Sequence, residues 1–239
     1  MDFKLTVPSA LDYFQSLVES DDSFPLLEAA ASLAQDEYPD LDIQQVLGDM
    51  DQLIAKFKRR MYADMGEIEK LRMLNLFFFE DLKFSGNVNH YDDPDNSFLH
   101  AVFRTRKGIP ISLAVIWLEL ASGVGLSVQG VGFPGHFLVK VQLKSPNEAQ
   151  ILIDPFSGQS LGREDLSERL APWLPGVQLT RPNAVSDDAL AHFLRTAPPR
   201  EIIARMLRNL QEIYRRQEDG ARLKQVQSRL NILLNTENI

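Results

Sequence analysis

Apolar residues along this chain switch once from a helical period to a period of two and then switch back, which limits the possible folds more than any other feature. From Ser9 to Phe84 they recur at helical intervals: Leu11, Phe14, Leu17 and Val18, then Val46, Met50, Leu53, Ile54 and Phe57, then Leu71, Leu74, Phe77 and Phe78, with Phe79 enlarging that last stripe. Ser9 and Asp42 are suited to cap helix N-termini, and Pro25 suits the first turn of another helix. After the loop-forming string SGNVNHYDDPDN and a short helical turn over 97–104, a helix is expected from Pro110 to Ser122, closed by Gly123 and Gly125. The β texture follows. Leu126–Val131 is rich in β-branched residues, His136–Leu143 is read as alternating Phe137, Val139 and Val141 with polar neighbours, which would leave the neighbours' face to solvent, and Ala149–Ile153 follows a turn over Lys144–Asn147. Pro172, Pro175 and Pro182 mark 171–182 as a linker, and helices resume near Asp187. Ile203, Met206, Leu207, Leu210, Ile213 and Tyr214 form one late stripe and Val226, Leu230 and Leu233 another, joined near Asp219-Gly220 as a helical hairpin. The expected fold is α+β: a small antiparallel sheet with the Pro110 helix packed on it, flanked by helices from both termini. Its expected divisions are a helical region over 1–85, an α+β core over 86–182 and the hairpin over 183–239.

The 239 residues include no cysteine, so disulfides, thiolate metal sites and a cysteine nucleophile are all excluded. The net charge of −8 argues against nucleic acid as a partner. That charge is uneven. Residues 1–55 carry 12 acidic side chains against Lys4 alone, whereas 200–229 carry 8 basic against 4 acidic. The basic hairpin can therefore dock on the acidic N-terminal region, bind a separate acidic protein, or present solvated helix faces. The run Lys56–Arg60 has the same two readings, a solvated helix end or the footprint of an acidic partner. MDFKLTVPSALDYFQ lacks the pattern of a secretory leader, and Ile109–Leu120, broken by Ser112 and Glu119, is too short to span a bilayer. A cytoplasmic protein with no membrane partner is expected, and the sequence leaves its oligomeric state open.

No metal and no cofactor are expected. His90, His100, His136 and His192 show no paired-histidine metal spacing, and Asp92-Asp93-Pro94-Asp95 lacks the glycine and terminal glutamate of a calcium loop. Gly130, Gly132 and Gly135 precede a strand rather than a helix, so they form no helix-terminus anion site.

The strings RKGIPISLAVIWLELASGVGL, GVGFPGHFLVKV and ILIDPFSG, with DPDNSFL before them and the hairpin after them, resemble the SirB-one family of bacterial transglutaminase-like proteins. The resemblance covers roughly residues 10–235 and implies a degenerate transglutaminase or papain-like core with a tetratricopeptide-like hairpin. The wider superfamily implies a cysteine at a helix N-terminus, a histidine on the next strand and an aspartate on the one after. A helix N-terminus lowers a thiol's pKa, an imidazole takes its proton, and a carboxylate fixes the imidazole tautomer. Here His136 and Asp154 fill the last two places. The superfamily's spacing puts the nucleophile at Pro110, which has neither a nucleophilic atom nor an N–H for an oxyanion hole.

Ser112 is the remaining nucleophile candidate, but it is rotated by about 200° from position 110 on the helix. His136 and Asp154 have three readings: a buried structural pair, a binding element in a cleft with Gly108, Pro110 and Gly135, or a general base acting on water. Asp154 before Pro155 also suits a turn-initiating aspartate. The favoured function is a catalytically inactive transglutaminase-like module for protein interaction or regulation. The alternatives are a hydrolase or acyltransferase using Ser112 or water, and a sensor of small molecules or peptides.

Overall fold

The structure is a computed structural model that describes residues 8–144, 148–174 and 185–234. Helices α1 (Ala10–Leu17), α2 (Leu26–Ser32), α3 (Ile43–Lys58) and α4 (Glu67–Asn75) come first, and α4 runs into a π-helical turn, Leu76–Asp81. Ser9 Oγ accepts from Asp12 N–H while Asp12 accepts from Ser9 N–H, so α1 opens on a capping box; Asp42 caps α3 by accepting from Gln44 N–H. A two-residue strand β1 (Ser85–Gly86) pairs in parallel with β2 (Lys107–Gly108), and α5 (Leu99–Thr105) lies between them. Helix α6 (Pro110–Gly123) begins with the proline at its first helical position, where the missing N–H leaves no bond unmade.

The sheet comprises β3 (Ser127–Val131), β4 (Leu138–Leu143), β5 (Ala149–Ile153), β6 (Ser160–Leu161) and, after α7 (Arg163–Leu170) and α8 (Asp187–Phe193), β7 (Thr196–Ala197). Its order is β6-β5-β4-β3-β7 with every pairing antiparallel. Helices α9 (Pro199–Arg216) and α10 (Gly220–Leu233) complete the chain, with Asp219 capping α10. The expected α+β class, with its small antiparallel sheet and central helix, is what the structure has.

Three expectations need correction. His136 does not open β4: it lies two residues earlier, in the turn that leads into the strand. The sheet also has no solvent face at its centre. Val139 and Val141 point into the main core with α6, while Leu138 and Leu152 join a second apolar cluster with Leu166 and Leu170 of α7 and Leu190 of α8. Lys140 on that second face is 8% exposed and donates to the Leu194 carbonyl. The start of the expected linker is instead a 3-10 turn, Ala171–Trp173, continuing from α7; Pro175 and Pro182 lie outside the described residues, as does most of the expected turn over Lys144–Asn147.

Helix α6 is buried along almost its whole length and carries Trp117 at its centre, fully buried, as a helix enclosed by its own protein should be. The cluster around it runs from Phe14 to Leu233, so helices from both ends of the chain contribute to one core. The late stripe Met206, Leu210, Ile213 and Tyr214 is buried in that cluster, while Arg208, Arg215 and Arg216 on the opposite side of α9 are exposed. Of the readings of the charge asymmetry, docking on the acidic region is observed directly. Arg229 pairs with Asp36, Arg222 with Glu37 and Arg200 with Asp21.

Candidate functional site

His136 is placed by the six-residue connection between β3 and β4, Gly132-Phe133-Pro134-Gly135-His136-Phe137. Phe133 and Phe137 are buried in the second and main clusters respectively, which anchors the connection at both ends. Gly135 has φ +65°, and Trp173 lies 2.9 Å from where a Cβ would stand, so both backbone and space favour glycine here. Arg205 of α9 donates from one guanidinium nitrogen to the carbonyls of Phe133 and His136, at 2.9 and 2.6 Å. The imidazole is therefore held through its own backbone by a helix more than sixty residues downstream.

Asp154 directly follows β5, the neighbour of β4. A tight loop returns the chain to it: Gly158 N–H donates to the Asp154 carbonyl and Asp154 N–H to Gln159, both at 2.8 Å. The Phe79 ring packs against Gly158 and supports the loop from outside. The Asp154 carboxylate is 3% exposed. Its Oδ1 accepts from His136 Nε2 at 2.7 Å and from Phe156 N–H at 2.9 Å, while Oδ2 accepts from Arg169 Nη1 of α7 at 3.0 Å. Asp154 is thus both the turn-initiating aspartate and the partner of His136. Burial alone would raise its pKa, but the hydrogen bond and charge of His136, the Phe156 N–H and Arg169 outweigh it and hold the carboxyl at about 2.

A carboxyl depressed in this way stabilises the fold above its unfolded value of 3.8, and that stability disappears as pH falls through about 2. The difference corresponds to about 2 kcal/mol. Asp154→Asn should therefore cost about 2 kcal/mol at pH 7. Urea unfolding of both proteins should show the gap closing between pH 4 and pH 2, and a gap that stayed constant would assign the loss to something other than this charge.

Because the ionised carboxylate only accepts, Nε2 carries the proton it donates, which leaves Nδ1 as the ring's second polar atom. Nδ1 has no partner among the described residues. Three aromatic rings lie near the pair: Phe156 is edge-on at 6.2 Å from the imidazole, Tyr91 lies 6.1 Å from Phe156, and Trp173, 58% exposed, packs beside Gly135.

The remaining predicted site residues sit deeper. Gly86 N–H donates to the Phe156 carbonyl at 3.0 Å, and Gly86 pairs with Gly108, two residues before Pro110. The start of α6 is thereby tied to the Asp154 loop through the β1–β2 pair. Pro110 itself is buried. Gly108 is a packing glycine, since a Cβ there would meet Ser112 Oγ at 2.7 Å. Ser112 is fully buried and bonded only to backbone: Oγ donates to the Asn96 carbonyl at 2.6 Å and accepts from Ile109 N–H at 3.1 Å. None of its hydrogen bonds reaches His136. This serine seals the α6 N-terminus.

Sequence reasoning did not find Arg169, Arg205, Phe156, Trp173 or Asn96 as site or support residues. Asn96 is 3% exposed and orders the 85–96 loop by donating to the carbonyls of His90 and Tyr91. Among the described residues, no group of three His, Asp or Glu side chains is arranged to hold a metal ion, and no helix is long and apolar enough to cross a membrane.

Comparison with known proteins now has a geometry to attach to. The family model described as the transglutaminase-like superfamily matches residues 44–208. A UPF0162 protein of Xylella fastidiosa (strain Temecula1) is 40% identical over 199 residues, covering 81% of this chain and 66% of the relative. The corresponding protein of Pseudomonas aeruginosa is 30% identical over 194 residues, covering 79% of this chain and 64% of its own. Human F-box only protein 21 is 37% identical over a shorter stretch of 70 residues, which is 29% of this chain and 11% of that protein. The chain spans about two thirds of the length of the UPF0162 relatives, and no solved structure matches it. With most of the chain under the family model and the His136–Asp154 pair at the adjoining ends of neighbouring strands β4 and β5, the chain belongs to the transglutaminase-like superfamily, in the company of the bacterial UPF0162 proteins.

Proposed function

We propose that this protein is a transglutaminase-like module of the SirB-one type that has lost acyl transfer and uses the site around His136 to bind another protein in the cytoplasm. The observation that carries the reading is an intact His136–Asp154 pair in a chain that holds no cysteine. Asp154 fixes His136 with Nδ1 free, yet the chain holds no cysteine, the nucleophile position is Pro110, and Ser112 is committed to the backbone. The exposed Tyr91 and Trp173 add the kind of aromatic surface that protein interfaces favour. The exposed Arg208, Arg215 and Arg216 of the tetratricopeptide-like hairpin support an acidic partner. A second reading rests on Nδ1, which has no partner among the described residues and would take a proton from water.

One pair of measurements separates the two. Purified protein is offered a glutamine-donor peptide with an amine acceptor, and separately a peptide ester. Turnover of each should equal that of His136→Ala; turnover that depends on His136 would establish the hydrolytic reading instead. A photo-crosslinking residue at position 173, expressed in the host bacterium, should trap protein adducts that fall at least fivefold in the His136→Ala background. Adducts unchanged by that substitution would remove His136 from recognition.

A further inference from the structure

Away from the His136 site, the C-terminal ends of α3 and α5 enclose a hollow of about 490 Å³, within the usual range for small-molecule sites. Four cations line it: Lys56 and Arg59 from the end of α3, and Arg104 and Arg106 from the end of α5. His100 and Phe103 complete the wall, and Asp49 is its one carboxylate. This concentration of positive charge occurs on a protein of net charge −8, so overall basicity does not explain it.

Helix C-termini attract cations on their own account, and Arg59 Nε does donate to the Ala55 carbonyl. That role does not account for the others. Arg104 has a long contact with Asp95 at 3.6 Å, whereas Lys56, Arg59 and Arg106 form no ion pair among the described residues. Asp49 accepts from Gln45 and acts on Arg106 only at longer range, with no direct ion pair to any of them among the described residues. The Arg106 guanidinium stacks 4.7 Å above the Phe84 ring, which orients the group without neutralising it.

Two buried polar groups are also left open. Both ring nitrogens of His100 and Nη1 of Arg106 are buried without a hydrogen-bond partner. Buried polar atoms in native proteins are nearly always satisfied, so orphans on two residues that line one charged hollow point to a ligand whose binding satisfies them. Arg106 sits at φ +59°, where glycine would be easier, so the arginine side chain is placed there at a backbone cost. Burial and Arg104 hold the His100 imidazole below the ordinary histidine range against the pull of Asp95. The ring, packed 4.5 Å from Tyr38, therefore keeps one nitrogen able to donate and one able to accept.

We infer that this hollow is a binding site for a small phosphate-bearing ligand, with Arg106 and His100 contacting the phosphate from the wall and Lys56 and Arg59 closing over it from the rim. Phosphate fits better than a single carboxylate because its double charge matches several unpaired cations and its oxygens suit a guanidinium fork. The site is independent of the reading given to His136.

The test is a nuclear magnetic resonance titration of the full chain with pyrophosphate, the ionic strength held at about 150 mM so that general screening is constant. Saturable shifts should centre on His100, Phe103 and Arg106, with the His100 ring nitrogens among the most displaced. Lys56→Gln/Arg59→Gln, both exposed and safe for folding, should weaken binding at least tenfold. Arg106→Gln should weaken it further where it folds. Arg215→Gln/Arg216→Gln, equal in charge removed but remote in sequence and on another helix, should leave binding unchanged. Shifts that never saturate, equal weakening by the Arg215/Arg216 pair, or citrate binding as tightly as pyrophosphate would each overturn the assignment.

Discussion

Pro110→Cys should create a thiol whose alkylation by iodoacetamide follows a pH profile with its midpoint one to three units below the roughly 8.5 of a free cysteine. The chain has no other sulfhydryl, so the signal comes from a single atom. Two features produce the shift. Position 110 is the first residue of a fourteen-residue helix, whose partial positive charge favours a thiolate. The start of that helix is joined through Gly108, Gly86 and Phe156 to the loop that holds Asp154, the partner of His136. Cysteine is no larger than proline, so the buried site accepts it without overpacking. In Pro110→Cys/His136→Ala the midpoint should return toward 8.5, retaining only the helix contribution. A profile indifferent to His136 would mean that the helix N-terminus and the imidazole no longer face a common cleft, and that the His136–Asp154 pair persists for its structural bonds alone.

Much of this site is legible in the sequence because its central elements bury strongly periodic surfaces. Helix α6 and strands β3, β4 and β5 fall within one or two residues of their expected limits, and the separation of Phe137, Val139 and Val141 from their neighbours marks one face of the sheet. Position 112 is rotated by about 200° from position 110 by helix geometry alone, and its hydroxyl is bonded to the backbone of Asn96 and Ile109. What escaped has weak local signals. Helix α7, REDLSERL, buries only Leu166 and Leu170, and so it gave no stripe to read. Arg169 lies on that helix, and its reach to Asp154 is a tertiary event. Strand β7 has two residues, too few for any period, yet it completes the sheet edge beside β3. Arg205 looks like one more charge on an amphipathic helix until its guanidinium is found under the His136 carbonyl.

The charge asymmetry was visible, but its resolution into pairs was not, and the strongest pair supports the last prediction. Arg229 is 1% exposed and grips Asp36 with two bonds, Nε to Oδ2 at 2.6 Å and Nη2 to Oδ1 at 3.0 Å, while its guanidinium lies 5.0 Å from the Phe14 ring. Beside it, Arg222 pairs with Glu37, and Tyr214 Oη donates to the same Glu37 carboxylate. Two charges taken out of water gain little over an apolar contact of the same shape, but removing one of them strands the other. Asp36→Ala should therefore cost about 3–5 kcal/mol in urea unfolding, because it leaves a buried guanidinium with nothing to neutralise it. For a domain stable by about 5–15 kcal/mol, that is a large part of the total. Arg229→Met alone should cost less, since Asp36 is 21% exposed and can turn toward water. The double variant Asp36→Ala/Arg229→Met should recover most of the loss, so the two substitutions will be strongly non-additive. Because α1, α2, α9 and α10 share one core with α6, the loss should appear as a single cooperative transition at lower urea. Additive costs, or a total change under about 1 kcal/mol, would mean that the hairpin is held by its apolar stripe alone and that the acidic N-terminal region is incidental to its docking.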